Sequence, residues 1–166
     1  MILTQARRQM AASVVLACLA LGSATGVQAQ DRFKLSADGQ EVHDSLTKLS
    51  WRRCTEGMSW NGKACAGKAT KFSYANAQKY ASAQASGGWR LPTKDELLTL
   101  LDKTTKKKPM IDRNTFPNTP SAMFWSTRPE TNDNLNAWIV DFGRGHVFGN
   151  NGTKAPYVRL VRASAS

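Results

Sequence analysis

The sequence predicts an α+β domain. Two segments with helical spacing lie in the first half of the chain, and apolar residues alternate with period two after Pro120. Nothing in the 166 residues repeats and no low-complexity linker divides them, so one core is expected.

The N-terminus reads as an export signal. Arg7 and Arg8 precede an apolar run from Met10 to Leu21, and Val27-Gln28-Ala29 places small residues at minus three and minus one of a cleavage point. The run is shorter than the roughly 20 residues a bilayer requires, so no transmembrane span is expected. Residues 1–29 are thus expected to be a signal peptide, leaving a single domain over 30–166 in the periplasm or outside the cell. Val15-Leu16-Ala17-Cys18 offers a rival processing box that would lipidate Cys18; the apolar run continues past it to Leu21, which favours cleavage after Ala29.

The domain's elements follow in order. Asp38-Gly39 marks a turn, Glu41 to Asp44 a short strand, and Leu46 to Arg53 the returning strand, with Leu49 and Trp51 on one face. Cys54 to Cys65 is a loop with its own hairpin signal at Asn61-Gly62, which as a two-residue turn would pair Met58 with Cys65. Ser73 caps a first helix bearing Tyr74, Ala77, Tyr80 and Ala81, which should stop at Gly87-Gly88. Pro92, Thr93 and Glu96 start a second helix with a capping box, and Leu97, Leu98, Leu100 and Leu101 give it an apolar face. Lys103 to Lys108 is a basic loop. Phe124 to Thr127 is a strand, Pro129 to Asn136 a polar loop, and Ala137 to Phe142 a strand with Trp138, Val140 and Phe142 on one face. Gly143 to Gly152 reads as a glycine- and asparagine-rich turn region, and Tyr157 to Arg162 as the closing strand.

Charge and cysteines narrow the function. Without Arg7 and Arg8, the 23 basic residues become 21 against 12 acidic ones, a net charge of +9. Such a chain suits acidic partners, and export excludes nucleic acid in favour of anionic lipid or acidic polysaccharide. Two cysteines remain after the signal, and an even count in an oxidising compartment predicts a Cys54–Cys65 disulfide. With only His43 and His146 to join them, zinc is not expected, nor is any other cofactor.

The ordered motifs resemble a known family. Asp44 to Trp51 has the form D-x-x-T-x-L-x-W, Cys54 to Gly67 the form C-x-x-G-x-x-W…C-x-G, and Gly88-Trp89-Arg90-Leu91-Pro92-Thr93 then Glu96-Leu97 a central signature. Asp112, Phe116 to Thr119, Trp125-Ser126, Trp138 to Phe142 and Tyr157 to Arg162 follow in order. This is similar to the Lcl C-terminal domain family, named after a bacterial collagen-like adhesin. The resemblance covers nearly all of the chain after the signal. It implies a C-type-lectin-like fold, with two helices flanking a twisted, mostly antiparallel sheet whose N- and C-terminal strands meet. The adhesin binds sulfated polysaccharide, but this chain lacks the collagen-like repeat, so matrix binding does not transfer with the fold. The Trp-Arg-Leu-Pro-Thr stretch also resembles formylglycine-generating enzymes, whose late reactive cysteine pair is missing here: no cysteine follows Cys65.

Candidate sites were weighed against structural roles. Trp89 to Thr93 is best read as structure, since Trp and Leu bury, Pro and Thr start a helix and Arg pairs internally. Trp51, Trp89, Trp125 and Trp138 sit in apolar or strand patterns and read as core. Trp60, between Ser59 and Asn61, reads equally as a sugar-stacking face or as packing on the disulfide. Glu130, Asn132, Asp133 and Asn134 collect oxygen ligands, yet without a lectin Glu-Pro-Asn motif they read as an ordinary polar loop rather than a calcium site. Neither histidine has a serine or cysteine placed by motif, so an enzyme is not expected. The expected ligand patch is Lys103, Lys106, Lys107 and Lys108, joined by Lys63 and Lys68 and, if exposed, Trp60. The expected function is a non-enzymatic binding domain for acidic or sulfated polysaccharide; the alternative is a structural or assembly protein of the envelope acting through protein contacts.

Overall fold

The computed structural model describes residues 32–128, 137–150 and 154–164. The signal segment, Cys18, the Glu130–Asn134 loop and the Asn151-Gly152 turn lie outside those residues.

The domain is α+β, with two α-helices and mostly antiparallel sheets among the described residues. The strands do not form one sheet. Three small sheets share the core: β1 (Phe33–Leu35), β2 (Glu41–Asp44), β3 (Leu49–Arg52) and β9 (Val161–Ala163) in the order β1-β2-β3-β9; β4 (Met58–Trp60) with β5 (Cys65–Gly67); and β6 (Met123–Trp125), β7 (Ala137–Asp141) and β8 (His146–Asn150) in that order. β9 pairs antiparallel with β3, so the C-terminal strand joins the N-terminal sheet at the edge opposite β1; the expected meeting of the terminal strands is a shared sheet, not a direct pairing. Isolated bridges tie Tyr157 to Lys71 and Phe124, and Arg90 to Val161.

The helices follow their sequence signals. Ser73 Oγ accepts from Asn76 N–H at 3.3 Å and starts α1 (Tyr74–Ala83), which buries Tyr74, Ala77 and Ala81. The α-helix ends earlier than Gly87; a 3-10 turn over Ala85–Gly87 carries the chain to Gly88, left-handed at φ 75°. α2 (Lys94–Thr99) has the full capping box: Thr93 Oγ1 accepts from Glu96 N–H at 3.1 Å, and Thr93 N–H donates to Glu96 Oε2 at 2.7 Å. Leu97 and Leu100 are buried and Leu98 and Leu101 pack against the same core.

Consecutive residues on the central strands enter opposite cores. Phe124, Val140 and Val161 join Leu97 and Phe142 on the α2 side, while Trp125, Ile139 and Leu160 join Tyr74 and Ala77 on the α1 side. β7 is therefore buried on both faces, and an expectation of one apolar face captured half of it. Trp138, expected in the core, is only half-buried: its partner on β8 is Gly149, which offers no side chain to pack against it.

Three turns differ from the sequence reading. The β4–β5 connection is not a two-residue turn: Trp60 pairs with Cys65 and Met58 with Gly67, leaving Asn61 to Ala64 as the loop. Asn61 Oδ1 accepts from the N–H groups of Lys63 and Ala64 at 3.0 and 2.9 Å, and these bonds stabilise the longer loop. His146–Asn150 is a strand rather than part of a glycine-rich turn. Asp141 Oδ1 accepts from Gly143 and Arg144 N–H at 2.8 and 3.2 Å, closing a four-residue turn that returns the chain along β7. The closing ladder is shorter than expected and shifted to Val161–Ala163, while Leu160 O and Val158 O before it accept single bonds from Arg52 and Glu56 N–H.

Arg159 lies just before that strand. It is fully buried, and its guanidinium donates to the carbonyls of Arg52 (2.7 Å) and Arg53, and to the hydroxyls of Thr119 (2.7 Å) and Thr55 (3.3 Å). Its plane lies 4.8 Å from the Phe116 ring centre. One side chain thus joins the end of β3, the loop after it and the Phe116–Thr119 turn. The Cys54–Cys65 disulfide is present, with Cα atoms 5.5 Å apart, and clamps the same loop to β5.

Candidate functional site

The basic loop follows α2 and is closed at its base. Asp102 N–H donates to Met110 O at 2.9 Å, and Met110 N–H to Phe142 O at 2.7 Å. Lys103, Lys106, Lys107 and Lys108 are all exposed within it. Asp141 lines a cavity with Lys108, and the two acids flanking the loop in sequence, Asp102 and Asp112, are hydrogen-bonded locally. Asp102 Oδ1 accepts from Thr104 Oγ1 at 2.6 Å and Thr104 N–H at 2.9 Å, and these bonds hold its carboxyl below the usual range. Asp112 accepts from Asn114 N–H, Thr115 N–H and Thr115 Oγ1 at 2.9 to 3.2 Å. Among the described residues none of the four lysines has an ion-pair partner.

The structure joins part of the expected patch to residues that the sequence reading did not include. Lys108 lines a cavity of about 410 Å³ with Arg144 and Lys154, whose ammonium lies 4.6 Å from the Phe148 ring centre. Arg144 was hidden in a segment read as a turn. Lys68 lines a different cavity with Lys71 and Tyr157, and Lys63 is exposed at the tip of the β4–β5 loop. Trp60 is half-buried. The Arg53 guanidinium covers one ring face at 3.6 Å from the centre, and Gln40 Nε2 donates to its carbonyl at 2.9 Å. Its nearest backbone neighbour is Gly39, where an added Cβ would sit 2.7 Å from Trp60 Nε1.

Two adjoining hollows were not foreseen. One, of about 480 Å³, lies between the start of α2 and the end of β7 and is lined by Thr93, Lys94, Asp95 and Trp138; the other, of about 380 Å³, runs along α1 past Tyr74 and Trp89. Both include Arg90, Thr127 and Arg128. The Trp-Arg-Leu-Pro-Thr stretch has its expected structural role there: Trp89 and Leu91 are buried, and Arg90 holds Glu96 with two bonds of 2.8 and 2.6 Å. Burial pushes the Glu96 carboxyl up, but the Arg90 bonds and Thr93 N–H outweigh it and hold the group below its ordinary value.

A third cavity, about 340 Å³, is lined by Arg52, Cys54, Glu56 and Tyr80. Tyr80 Oη donates to Glu56 Oε2 at 2.6 Å. Burial pushes the Glu56 carboxyl up, and burial and that bond to Glu56 push the Tyr80 phenol up to about 12. No group of three or more His, Cys, Asp or Glu side chains suited to a metal occurs among the described residues. No helix among them is long and apolar enough to cross a membrane.

Fold and surface thus define an α+β module, disulfide-clamped, with cationic loops around a two-sided core. The model of the Lcl C-terminal domain family matches residues 40–162, and the chain belongs to that family. No curated protein and no solved structure matches it.

Proposed function

We propose that this chain is an exported, non-enzymatic binding domain of C-type-lectin-like fold whose ligand is an acidic or sulfated polysaccharide. The meeting of β9 with β3 and the placement of two helices beside antiparallel strands support the fold reading. The disulfide supports an oxidising compartment, periplasmic or extracellular. One observation carries the ligand reading: Lys103, Lys106, Lys107 and Lys108 project from a loop in which neither nearby acid pairs with them, so four exposed cations outnumber two carboxylates. Lysines act there as point charges on sulfate or carboxylate groups, giving affinity without fine selectivity. The envelope-assembly reading draws on Leu35 and Leu46, large apolar side chains that are 49% and 73% exposed.

The test replaces Lys106, Lys107 and Lys108 together with Gln and compares retention on heparin-like and uncharged glycan columns. The proposal expects wild-type retention on the sulfated column alone, weakening with salt, and earlier elution of the variant. Unchanged retention of the variant, or none of the wild type at low salt, removes the polysaccharide reading and leaves envelope assembly ahead.

A further inference from the structure

From the two hollows that share Arg90, Thr127 and Arg128 we infer a second binding site, separate from the lysine loop, that takes one carboxylated pyranose unit, a uronic acid residue. The inference rests on the polysaccharide reading and adds to it a place where a single sugar ring is recognised.

The geometry supplies the three features that such a ring needs. The first is an aromatic surface. Trp138 is half-buried, lines the hollow, and pairs across β7 and β8 with Gly149, which brings no side chain beside it; the Lys94 ammonium lies over the ring at 5.2 Å. Indole presents a broad apolar face, and a pyranose offers a matching face of axial C–H groups.

The second is a cation free to meet a carboxylate. Arg90 is locked to Glu96 by two bonds, and Lys94 lies 3.5 Å from Asp95 and 5.2 Å from the Trp138 ring centre, so both already have partners. Arg128 differs. Its guanidinium lies 4.8 Å from the Tyr74 ring centre, and its backbone N–H donates to Tyr74 Oη at 3.1 Å, which orients it. Among the described residues it has no acidic partner. A planar fork held on an aromatic ring suits a planar carboxylate, to which it can donate two parallel bonds.

The third is a set of groups for sugar hydroxyls. Thr93, Asp95 and Thr127 line the first hollow, and Asp95 is exposed with a carboxylate able to accept. An acid among the cations disfavours a highly sulfated segment, whose charge would be repelled there, and suits a ring bearing one carboxylate and several hydroxyls. The lysine loop, where four cations outnumber the two acids held in its turns, takes polyanions by charge alone. The two sites therefore differ in kind: one reads charge density, the other a ring.

The test uses the intact secreted protein with its indole nitrogens labelled, so that each tryptophan gives its own NMR signal. Glucuronate and galacturonate are titrated beside glucose and glucose 6-sulfate. The inference expects a uronate to shift the Trp138 indole signal in a saturable way. Arg128→Gln, an exposed change, should weaken that binding about tenfold, as expected for loss of a charge-assisted pair. Trp138→Leu, which keeps an apolar side chain, should abolish it while the other indole signals report an intact fold. The triple Lys106, Lys107, Lys108 to Gln variant should bind the uronate as the wild type does, even where it has lost the sulfated column. Equal binding of glucose or glucose 6-sulfate would overturn the carboxylate assignment. An unmoved Trp138 signal with every sugar, or undiminished binding by Arg128→Gln, would overturn the site, while leaving the column result for the lysine loop to stand or fall separately.

Discussion

Leu97→Ala should be among the costliest single truncations in the chain, and its companion Thr93→Ala shows why. Leu97 has no solvent exposure and sits in the core with Val42, Trp51, Leu100, Phe124 and Phe142. Removing its isobutyl group loses the transfer energy of three carbons and leaves a cavity among large rings that cannot close onto it, so the cost should be about 2–5 kcal/mol. Thr93→Ala removes only the hydroxyl that accepts Glu96 N–H at 3.1 Å. The reciprocal bond, from Thr93 N–H to Glu96 Oε2 at 2.7 Å, survives because its donor is backbone. Half of the capping box is lost at an exposed position, about 1 kcal/mol. Urea denaturation of both variants at neutral pH, compared at equal m-value, reads the two costs as midpoint shifts. The Leu97 shift should be at least twice that of Thr93. Equal small shifts would refute the placement of α2 against the β7 core.

Other outcomes follow from the same structure. Reducing Cys54–Cys65, which are 11 residues apart, should cost about 3 kcal/mol in the chain-entropy model, measured as the denaturation midpoint with and without reductant. Glu56 has its carboxyl pushed above the ordinary value by burial, so the folded state holds its proton after the unfolded state has released it. This contribution lowers stability as pH rises from the ordinary carboxylate value through the raised one. Glu56→Gln should flatten that fall, with no gain below the ordinary value, and an unchanged pH profile of the melting temperature would contradict it. Gly57→Ala should destabilise the loop, since φ is 92° and a Cβ would meet Thr70 Oγ1 at 2.3 Å and Lys68 O at 2.6 Å; a melting temperature equal to wild type would count against this geometry.

Local signals were legible where the chemistry is local. Ser73, Thr93 with Glu96, and the cysteine pair each declare their role over a few residues, and each holds it in the structure. β8 was missed because Gly143, Gly145 and Gly149 suggest a turn, whereas its pairing depends on β7 lying alongside. Arg159 could not be read as buried: its acceptors come from residues 52, 53, 55 and 119, brought together only by the fold. Trp138 looked like core because its strand alternates, and only the register at Gly149 leaves it half-open. The cationic loop was legible as sequence. That its acids cap turns rather than pair with lysines required the coordinates.

The central claim is that a surface loop whose cations outnumber its acids binds acidic polysaccharide. A glycan array carrying sulfated, uronic-acid and neutral polymers, probed with the purified protein at low and physiological ionic strength, separates the cases. Binding should be confined to the acidic polymers and weaken as the screening length shrinks to about 8 Å at physiological salt. Absence of binding to any acidic polymer at low salt, or equal binding to the neutral ones, would contradict it.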